Sequence, residues 1–552
     1  MIDKNVSENS KLPEDWLIGL IVPIYKNKGC PNTENNFRGI TLISCLGKIF
    51  TSILNSRLTE FSNIRKLNKT NQAAYEKDHS TIDQIFTLYG IIHILLQKKK
   101  PLYCAFIDYE KAFDKIWRAG LWAKLIRNGI SGKLFHVIKS MYNGIKSCVK
   151  HNNTISSDFR VDMGVRQGEN LSPFLFALYI NDFEDELITE NCPNLSLYCG
   201  DELNSYLNIF ILLYADDTVL LSNSHEGLQT MLDLTETYCD KWKLKVNVNK
   251  TKVIRFSNGK QKTQTKPLLY KGTAIDSVDS FKYLGILMNY NGNYHKAKKE
   301  LHDQANKAMF SLLNKSQVLE LPIDIQLDLF EKTVVPILLY GSEVWGFENM
   351  KIVETLHLRF CKYILKLKRS TPSYMVYGEL GVYPMRIYVA MRMVTYWTKL
   401  IDNSCKLSSK VYNILHQLSE TNVMKVPWIE QIKGVFNSCG LSNIWAAQSY
   451  PNAKWLTASV KQKLKDQFIQ EWQTEMDKSS KAITYRAIKK SFCMETYLNI
   501  LPKSFGITLC KFRTCNHKLA IERQRYHQIE RHHRFCDMCD KDVIGDEFHF
   551  LF

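Results

Sequence analysis

Three aspartates stand where carboxylates are costly. Asp108 closes the apolar run YCAFI, and Asp216 and Asp217 sit side by side inside IFILLYADDTVLLS. Adjacent carboxylates repel and resist burial, so such a pair needs either open water or a cation to offset its charge. Two strands that each deliver a carboxylate at one end build a cluster of hard oxygen ligands, the kind that suits magnesium or manganese. Two such ions, about 3.5 to 4 Å apart, can polarise an attacking hydroxyl and stabilise a departing oxygen in phosphoryl transfer. The plainer alternative makes Asp108 the N-cap of a helix over YEKAF and the Asp pair a hairpin turn. Either stretch alone fits both readings; the two together favour the cation.

The elements that must hold these groups follow from pattern. From Leu102 to Phe256 apolar strands alternate with helical periodicity. LYCAFIDYEKAFDKIW runs from a strand into a helix, and KLFHVIKSMY carries Leu134, Val137, Ile138 and Met141 at the spacing of one buried helical face. SPFLFALYIND opens with Ser172 as N-cap and Pro173 at the first helical position. The polar connection GKQKTQTKP leads to FKYLGILM, a strand-like element with Gly285 at its turn. From about Leu312 the texture is mostly helical.

Composition bounds the partner. The chain has 552 residues, enough for three or four domains of ~100 to 200 residues each. Its 73 Lys+Arg against 55 Asp+Glu leave a charge of +18, which points to a polyanion, nucleic acid first and an anionic membrane surface second. No apolar run approaches the ~18 to 20 residues of a membrane helix. The opening MIDKNVSENSKLPEDW lacks the basic start and apolar centre of a signal peptide, so an intracellular, reducing setting is expected, nuclear or cytoplasmic. The fifteen cysteines are scattered and read as free thiols, apart from one spaced pair near the C-terminus.

FIDYEKAFD, GVRQGENLSPFLFALYIND, YADD, WKLKVNVNKTKV and FKYLGI occur in the order and approximate spacing of the motifs of reverse transcriptases, specifically those of non-LTR (LINE-type) retrotransposons. Upstream, IVPIYKNKG, NNFRGITLISCLGKIFTSILNSRL and QAAYEKDHSTIDQIFTL resemble the fingers segments of that family. Downstream, ILLYGSEVWG and LRFCKYILKLKRSTPSYMVYGELGVYP resemble the region beyond its polymerase core. The resemblance implies an α+β right-hand polymerase: fingers to about residue 100, a palm on an antiparallel sheet over 101–260, and a primer-grip hairpin with the start of the thumb over 261–345. A helical thumb and connector over 346–510 and a basic segment with a Cys/His tail over 511–552 complete it. The implied activity is RNA-directed DNA synthesis with two Mg2+ ions, or Mn2+, on an RNA template, a DNA primer and deoxynucleoside triphosphates. The opposing expectation is a catalytically silent remnant that only binds nucleic acid.

Carried over residue by residue, the resemblance makes Asp108 and Asp216 the principal metal ligands and Asp217 a weaker third. Phe113, with Tyr109 nearby, would lie under the incoming sugar, where an aromatic ring collides with a ribose 2′-hydroxyl and so also distinguishes this reading from an RNA-dependent RNA polymerase. Gln167 and Gly168 would approach the template base and nucleotide. Lys26 and Arg38 would grip the triphosphate, with Lys28 an alternative to Lys26. Lys250 or Lys252 would protonate the pyrophosphate, and Tyr283, Leu284 and Gly285 would hold the primer end. Two positions depart from the usual pattern, Ala74-Tyr75 for Gly-Phe and Gly39 for proline, and neither is a metal ligand.

Cys536, Cys539 and His549 have the spacing of a zinc knuckle lacking its fourth ligand, which His532 or His533, or a residue past Phe552, would supply. Between Lys511 and Arg534, seven Lys/Arg face two Glu, which suits phosphate contact. The endonuclease common in this family is not recognised in the sequence, so nicking is expected from a partner in trans or from an upstream segment.

Overall fold

The computed structural model describes residues 12–27, 29–65, 67, 71–75, 78–198, 206–259, 266–539 and 541–551. Lys28 and most of the GKQKTQTKP connection lie outside the described residues. The chain divides into two compact units, Met1–Gly292 with Cys405–Met424, and Asn293–Ser404 with Lys425–Phe552.

In the first unit the longer apolar runs build two five-stranded sheets, beside three two-stranded ones among the described residues. The strand Leu102–Ile107 is the centre of one. It pairs antiparallel with Asp217–Ser222 on one side and Lys252–Phe256 on the other, and Asp217–Ser222 pairs onward with Ile211–Tyr214. A central strand covered on both faces needs apolar residues throughout rather than alternation. Leu102, Cys104, Ala105, Phe106 and Ile107 are accordingly all buried. The second sheet joins Ile18–Tyr25 antiparallel to Phe37–Leu42 and parallel to Lys146–His151. Between and around the sheets lies one core that includes Ile107, Ile138, Leu175, Phe176, Leu220 and Val253.

Helices cover these sheets where the sequence has 3.6-residue periodicity. The helix Gly132–Met141 buries Phe135, Ile138 and Met141, with Leu134 and Val137 packed at the edge of the same core. The helix Thr81–Gln97 is apolar nearly all round and is started by a capping box between Ser80 and Asp83. Its outer face is covered by Leu407–Glu420, which explains why that helix belongs to the first unit: a Cβ on Gly90 would fall 2.3 Å from Val411 Cγ1. Lys406, itself buried, reaches the Asp78 carbonyl and lies 3.8 Å from Asp83. The helix Ser172–Ile180 starts one residue earlier than the cap expectation, because Ser172 is helical and its hydroxyl donates to Glu169 instead of capping.

The FKYLGI segment forms the hairpin Ser280–Tyr283 with Ile286–Asn289, turning at Leu284 and Gly285, both at positive φ. Two positive-φ residues give the turn whose twist matches a two-residue hairpin. The hairpin stays with the first unit because Phe281 and Tyr283 pack on Phe106 of the central strand, with ring centroids 4.6 and 5.6 Å away.

The second unit is helical among its described residues. Helices Lys351–Ile364, Ser373–Leu380, Met385–Asp402 and Ala453–Lys478 surround a core containing Tyr374, Tyr377, Phe468, Trp472 and Tyr485. At its centre Glu379 is wholly buried and held by the Arg513 guanidinium at 3.1 Å and by Tyr497. A buried carboxylate needs such pairing, and here it ties the start of the basic C-terminal segment to the core. No described helix is long and apolar enough to cross a membrane.

Candidate active site

The strand register brings the three carboxylates together. Thr218 is opposite Ile107, so Asp217 and Asp108 leave adjacent strands at the same end, and Asp217 opposite Tyr214 leaves Ala215 and Asp216 as a two-residue turn. The backbone of Asp108 is pinned on both sides: its N–H donates to Thr251 Oγ1 at 3.2 Å and its carbonyl accepts from Asn247 N–H at 2.7 Å. Its Oδ2 is shielded from water and accepts no hydrogen bond among the described residues, and the Lys250 ammonium lies 3.5 Å from it. Loss of surrounding water lifts the Asp216 carboxyl above its ordinary range, as does Asp108, while Arg38 and Lys250 oppose the rise. The same burial, with Asp216 and Asp108 adding, pushes Asp217 up to about 6. An oxygen-only cluster with one buried acceptor that takes no hydrogen bond, and two carboxylates lifted by burial and by neighbouring carboxylates, fits a hard divalent cation, whose charge would favour their ionised state.

The turn has a brace that the sequence reading did not single out. Residues 71–73 run beside the strand Ile211–Tyr214 as a further partner, Ala73 N–H to Leu213 O at 3.1 Å and Leu213 N–H to Asn71 O at 2.9 Å. Gln84, buried on the Thr81–Gln97 helix, donates to the carbonyls of both Asn71 and Leu213, at 2.8 and 3.0 Å. Gln72 Oε1 accepts from Ala74 N–H at 3.0 Å and from Ala215 N–H at 3.3 Å. Ala215 has φ +55, a conformation L residues avoid, so this turn needs external support. The available signal was the alanine itself, since a tight hairpin turn without Gly or Asn must be held from outside.

The other expected residues fall in several places. Arg38, exposed on Phe37–Leu42, lies within electrostatic reach of Asp216. Phe113 is half-buried and stacked on Phe176 with centroids 4.7 Å apart; it lies in a run of turns over 110–115 rather than on a helix, which begins only at Arg118. Gln167 sits in a loop clamped on both sides. Its carbonyl accepts from Thr41 N–H at 2.8 Å, and its amide nitrogen donates to Asp114 at 3.2 Å. Gly168, at φ +108, would place a Cβ 2.8 Å from the Thr41 carbonyl, so no side chain fits there. Lys26 lies within electrostatic reach of Asp114, whose carboxyl it helps to hold down. Tyr109 is 5% exposed and packs in the core, with its backbone bridged to Val246, so its side chain is not placed to meet a ligand. Lys250 and Lys252, equivalent in sequence, separate in space: Lys250 faces Asp108, whereas Lys252 pairs with Asp276 at 2.5 Å. Tyr283 buries its hydroxyl close enough to Asp217 for that carboxylate to raise its pKa, behind burial as the larger cause. Leu284 and Gly285 form the turn beyond it.

At the C-terminal end, the ligand atoms of Cys536, Cys539 and His549 lie within 4.8 Å of one another, with Cys539 Sγ 3.3 Å from His549 Nε2. Met538 N–H donates to Cys536 Sγ at 3.4 Å and lowers that thiol's pKa, the environment a metal-bound thiolate needs. His532 and His533 group instead with Glu530 on the surface.

A sheet that presents three carboxylates at one strand end, a basic side chain from a second sheet and a two-residue hairpin stacked on its central strand have the arrangement of a polymerase palm. Residues 25–288 match the family described as "Reverse transcriptase (RNA-dependent DNA polymerase)". This segment is a reverse transcriptase domain of the kind found in non-LTR retrotransposons. The chain is 26% identical over 402 residues to the "Probable RNA-directed DNA polymerase from transposon BS" of Drosophila melanogaster, covering 70% of this chain and 42% of that one. It is 23% identical over 387 residues to the "RNA-directed DNA polymerase from mobile element jockey" of the same organism, covering 68% and 40%. It thus spans about two-fifths of the length of these relatives. Among solved structures, a telomerase from Candida tropicalis in complex with a fragment of telomeric RNA overlaps 80% of this chain and 65% of its own, with 12% identity and a TM-score of 0.38.

Proposed function

We propose that this chain is an RNA-directed DNA polymerase of a mobile element, adding deoxynucleotides to the 3′-hydroxyl of a DNA primer on an RNA template. The observation that carries this reading is the convergence of Asp108, Asp216 and Asp217 on one strand end with Arg38 and Lys250 facing them. Asp108 and Asp216 would hold two magnesium ions, with Asp217 accessory; bound there, the ions lower the pKa of the primer hydroxyl and offset charge on the triphosphate. The protein's own contribution is placement. Arg38 offers a fork for phosphate oxygens, and the Phe281–Tyr283 hairpin fixes the primer strand relative to the central strand. Lys250 is a proton source beside the reacting phosphates. Phe113, backed by Phe176 and unable to retreat, would exclude a 2′-hydroxyl. Gln167, its amide oriented by Asp114, would contact the template-nucleotide pair.

The Cys536, Cys539 and His549 cluster would hold a structural zinc ion and, with the basic segment before it, help bind nucleic acid. Nicking of a target would come from a partner or another segment, and the chain would act inside the cell, where its substrates are. The test is primer extension on an RNA template with magnesium, wild type against Asp216→Asn. Tight RNA binding without any cDNA from the wild type would overturn the enzyme reading in favour of a silent binder.

A further inference from the structure

The second unit carries a basic surface assembled from two segments about 150 residues apart in sequence. The loop after the Lys351–Ile364 helix, KLKRST over 366–371, contains no acid and exposes Lys366, Lys368 and Arg369. Asn516 clasps this loop to the C-terminal segment: its Oδ1 accepts from Lys368 N–H at 3.1 Å and from the Thr371 hydroxyl at 2.9 Å. Lys362 Nζ closes the loop from below by donating to the Arg369 carbonyl at 2.6 Å. From the C-terminal side comes Tyr526, 66% exposed, with Lys368 Nζ 5.6 Å from its ring centroid.

Cations are crowded here. Burial lowers the Lys362 ammonium, and repulsion from Lys481 lowers it further. Two acids of the C-terminal segment are already engaged, Glu522 with Arg525 at 2.8 Å and Lys481 at 3.8 Å, and Asp537 with Arg523. An exposed aromatic with one ammonium against its ring and further cations on a backbone-fixed loop is an arrangement that can take a base on its face and phosphates on its flanks. A duplex hides its base faces, so the arrangement favours a single strand.

We infer that Lys366, Lys368 and Arg369, with Tyr526, form a single-stranded nucleic-acid site on the second unit, with Tyr526 as the stacking platform. The inference deepens the proposed nucleic-acid role of the C-terminal segment by naming its ligand form and by adding a loop the sequence reading left unassigned.

The experiment measures binding of a fluorescent oligouridine and of a duplex of equal length to the full chain, as a function of salt. The background is Asp216→Asn, so that chemistry does not intervene. Tyr526→Ala should weaken the single strand about tenfold with little change in the duplex. Lys366→Glu/Lys368→Glu should flatten the log Kd against log salt slope by about 1.4, the value for two phosphate contacts on a single strand. Lys454→Glu/Lys461→Glu, an equal charge change at exposed positions of the Ala453–Lys478 helix, should leave the slope nearly as it was. Because all these side chains are exposed, folding should survive, and circular dichroism checks that. An unchanged Kd in Tyr526→Ala, an equal effect from the control pair, or stronger dependence for the duplex would each overturn the site. If the wild type makes no cDNA yet shows this pattern, the polymerase reading fails and the binding site stands.

Discussion

Replacing Gln72 by Met should damage catalysis far more than its distance in sequence from the aspartates suggests. Gln72 is 3% exposed and its Oε1 serves two backbone donors, Ala74 N–H and Ala215 N–H. Methionine fills a similar volume but accepts neither bond usefully. Each buried N–H left without an acceptor costs about 1 to 3 kcal/mol, so the local penalty is about 2 to 6 kcal/mol if nothing moves. The turn will therefore move. Ala215 has the least favourable backbone in it, and relaxing φ +55 shifts Asp216, the next residue. A displacement of an ångström at a reacting centre costs on the order of a hundredfold in rate. Single-nucleotide primer extension should show kcat down 10- to 100-fold, a higher magnesium requirement and little change in RNA affinity. Gln72→Glu is the discriminating partner, because it keeps the acceptor and loses only an Nε2 that makes no hydrogen bond. In its protonated form it should hold the turn and retain most of the fold's stability, and where it ionises at higher pH its buried charge beside Asp216 should cost stability and activity. A Gln72→Met protein with wild-type kcat and magnesium dependence would refute the bracing argument.

Asp216→Asn should abolish extension while leaving RNA and DNA affinity, read by fluorescence anisotropy, largely intact; an active variant would remove the metal site. Phe113→Val should admit ribonucleotides, seen as a smaller ratio of dNTP to NTP incorporation, and equal use of both by the wild type would sink the steric gate. His357 is wholly buried between Phe330 and Tyr377, and burial alone lowers its pKa to about 4. Its folded value lies below the unfolded 6.5, so its stabilising contribution is complete above pH 6.5 and is lost as pH falls through 4. That is worth about 3 kcal/mol. Thermal unfolding between pH 7 and 4 should show it, and His357→Phe should flatten the dependence. Zinc measured in purified protein should fall in Cys536→Ser and Cys539→Ser but not in His532→Ala, whose ring lies with the Glu530 group.

How much of this was legible in the sequence depended on whether a residue's role is local. A strand with a carboxylate at its end, a two-residue hairpin, and a Cys-x-x-Cys each announce themselves within a few residues, so Asp108, Asp216, the FKYLGI hairpin and the Cys536–Cys539 pair could be read directly. Roles that arise from register could not. Lys250 and Lys252 differ by two positions in one segment. Lys252 opens the strand Lys252–Phe256 and is drawn to Asp276 on the neighbouring strand, while Lys250 lies in the turn before it and faces Asp108. Without the register, no sequence pattern separates them. Gln72, Gln84 and Asn516 are a third kind: uncharged amides whose partners are backbone groups of distant segments, Leu213 and Ala215 for the first two and Lys368 for the last. Backbone donors and acceptors exist at nearly every residue, so nothing in sequence marks which of them an amide will serve. Yet these amides brace the two places where a ligand is proposed to bind, an alanine at positive φ in the carboxylate turn and a lysine-rich loop under its own repulsion. The charged residues suggest what each place would bind, and the buried or clasping amides set whether they are held in position to bind it.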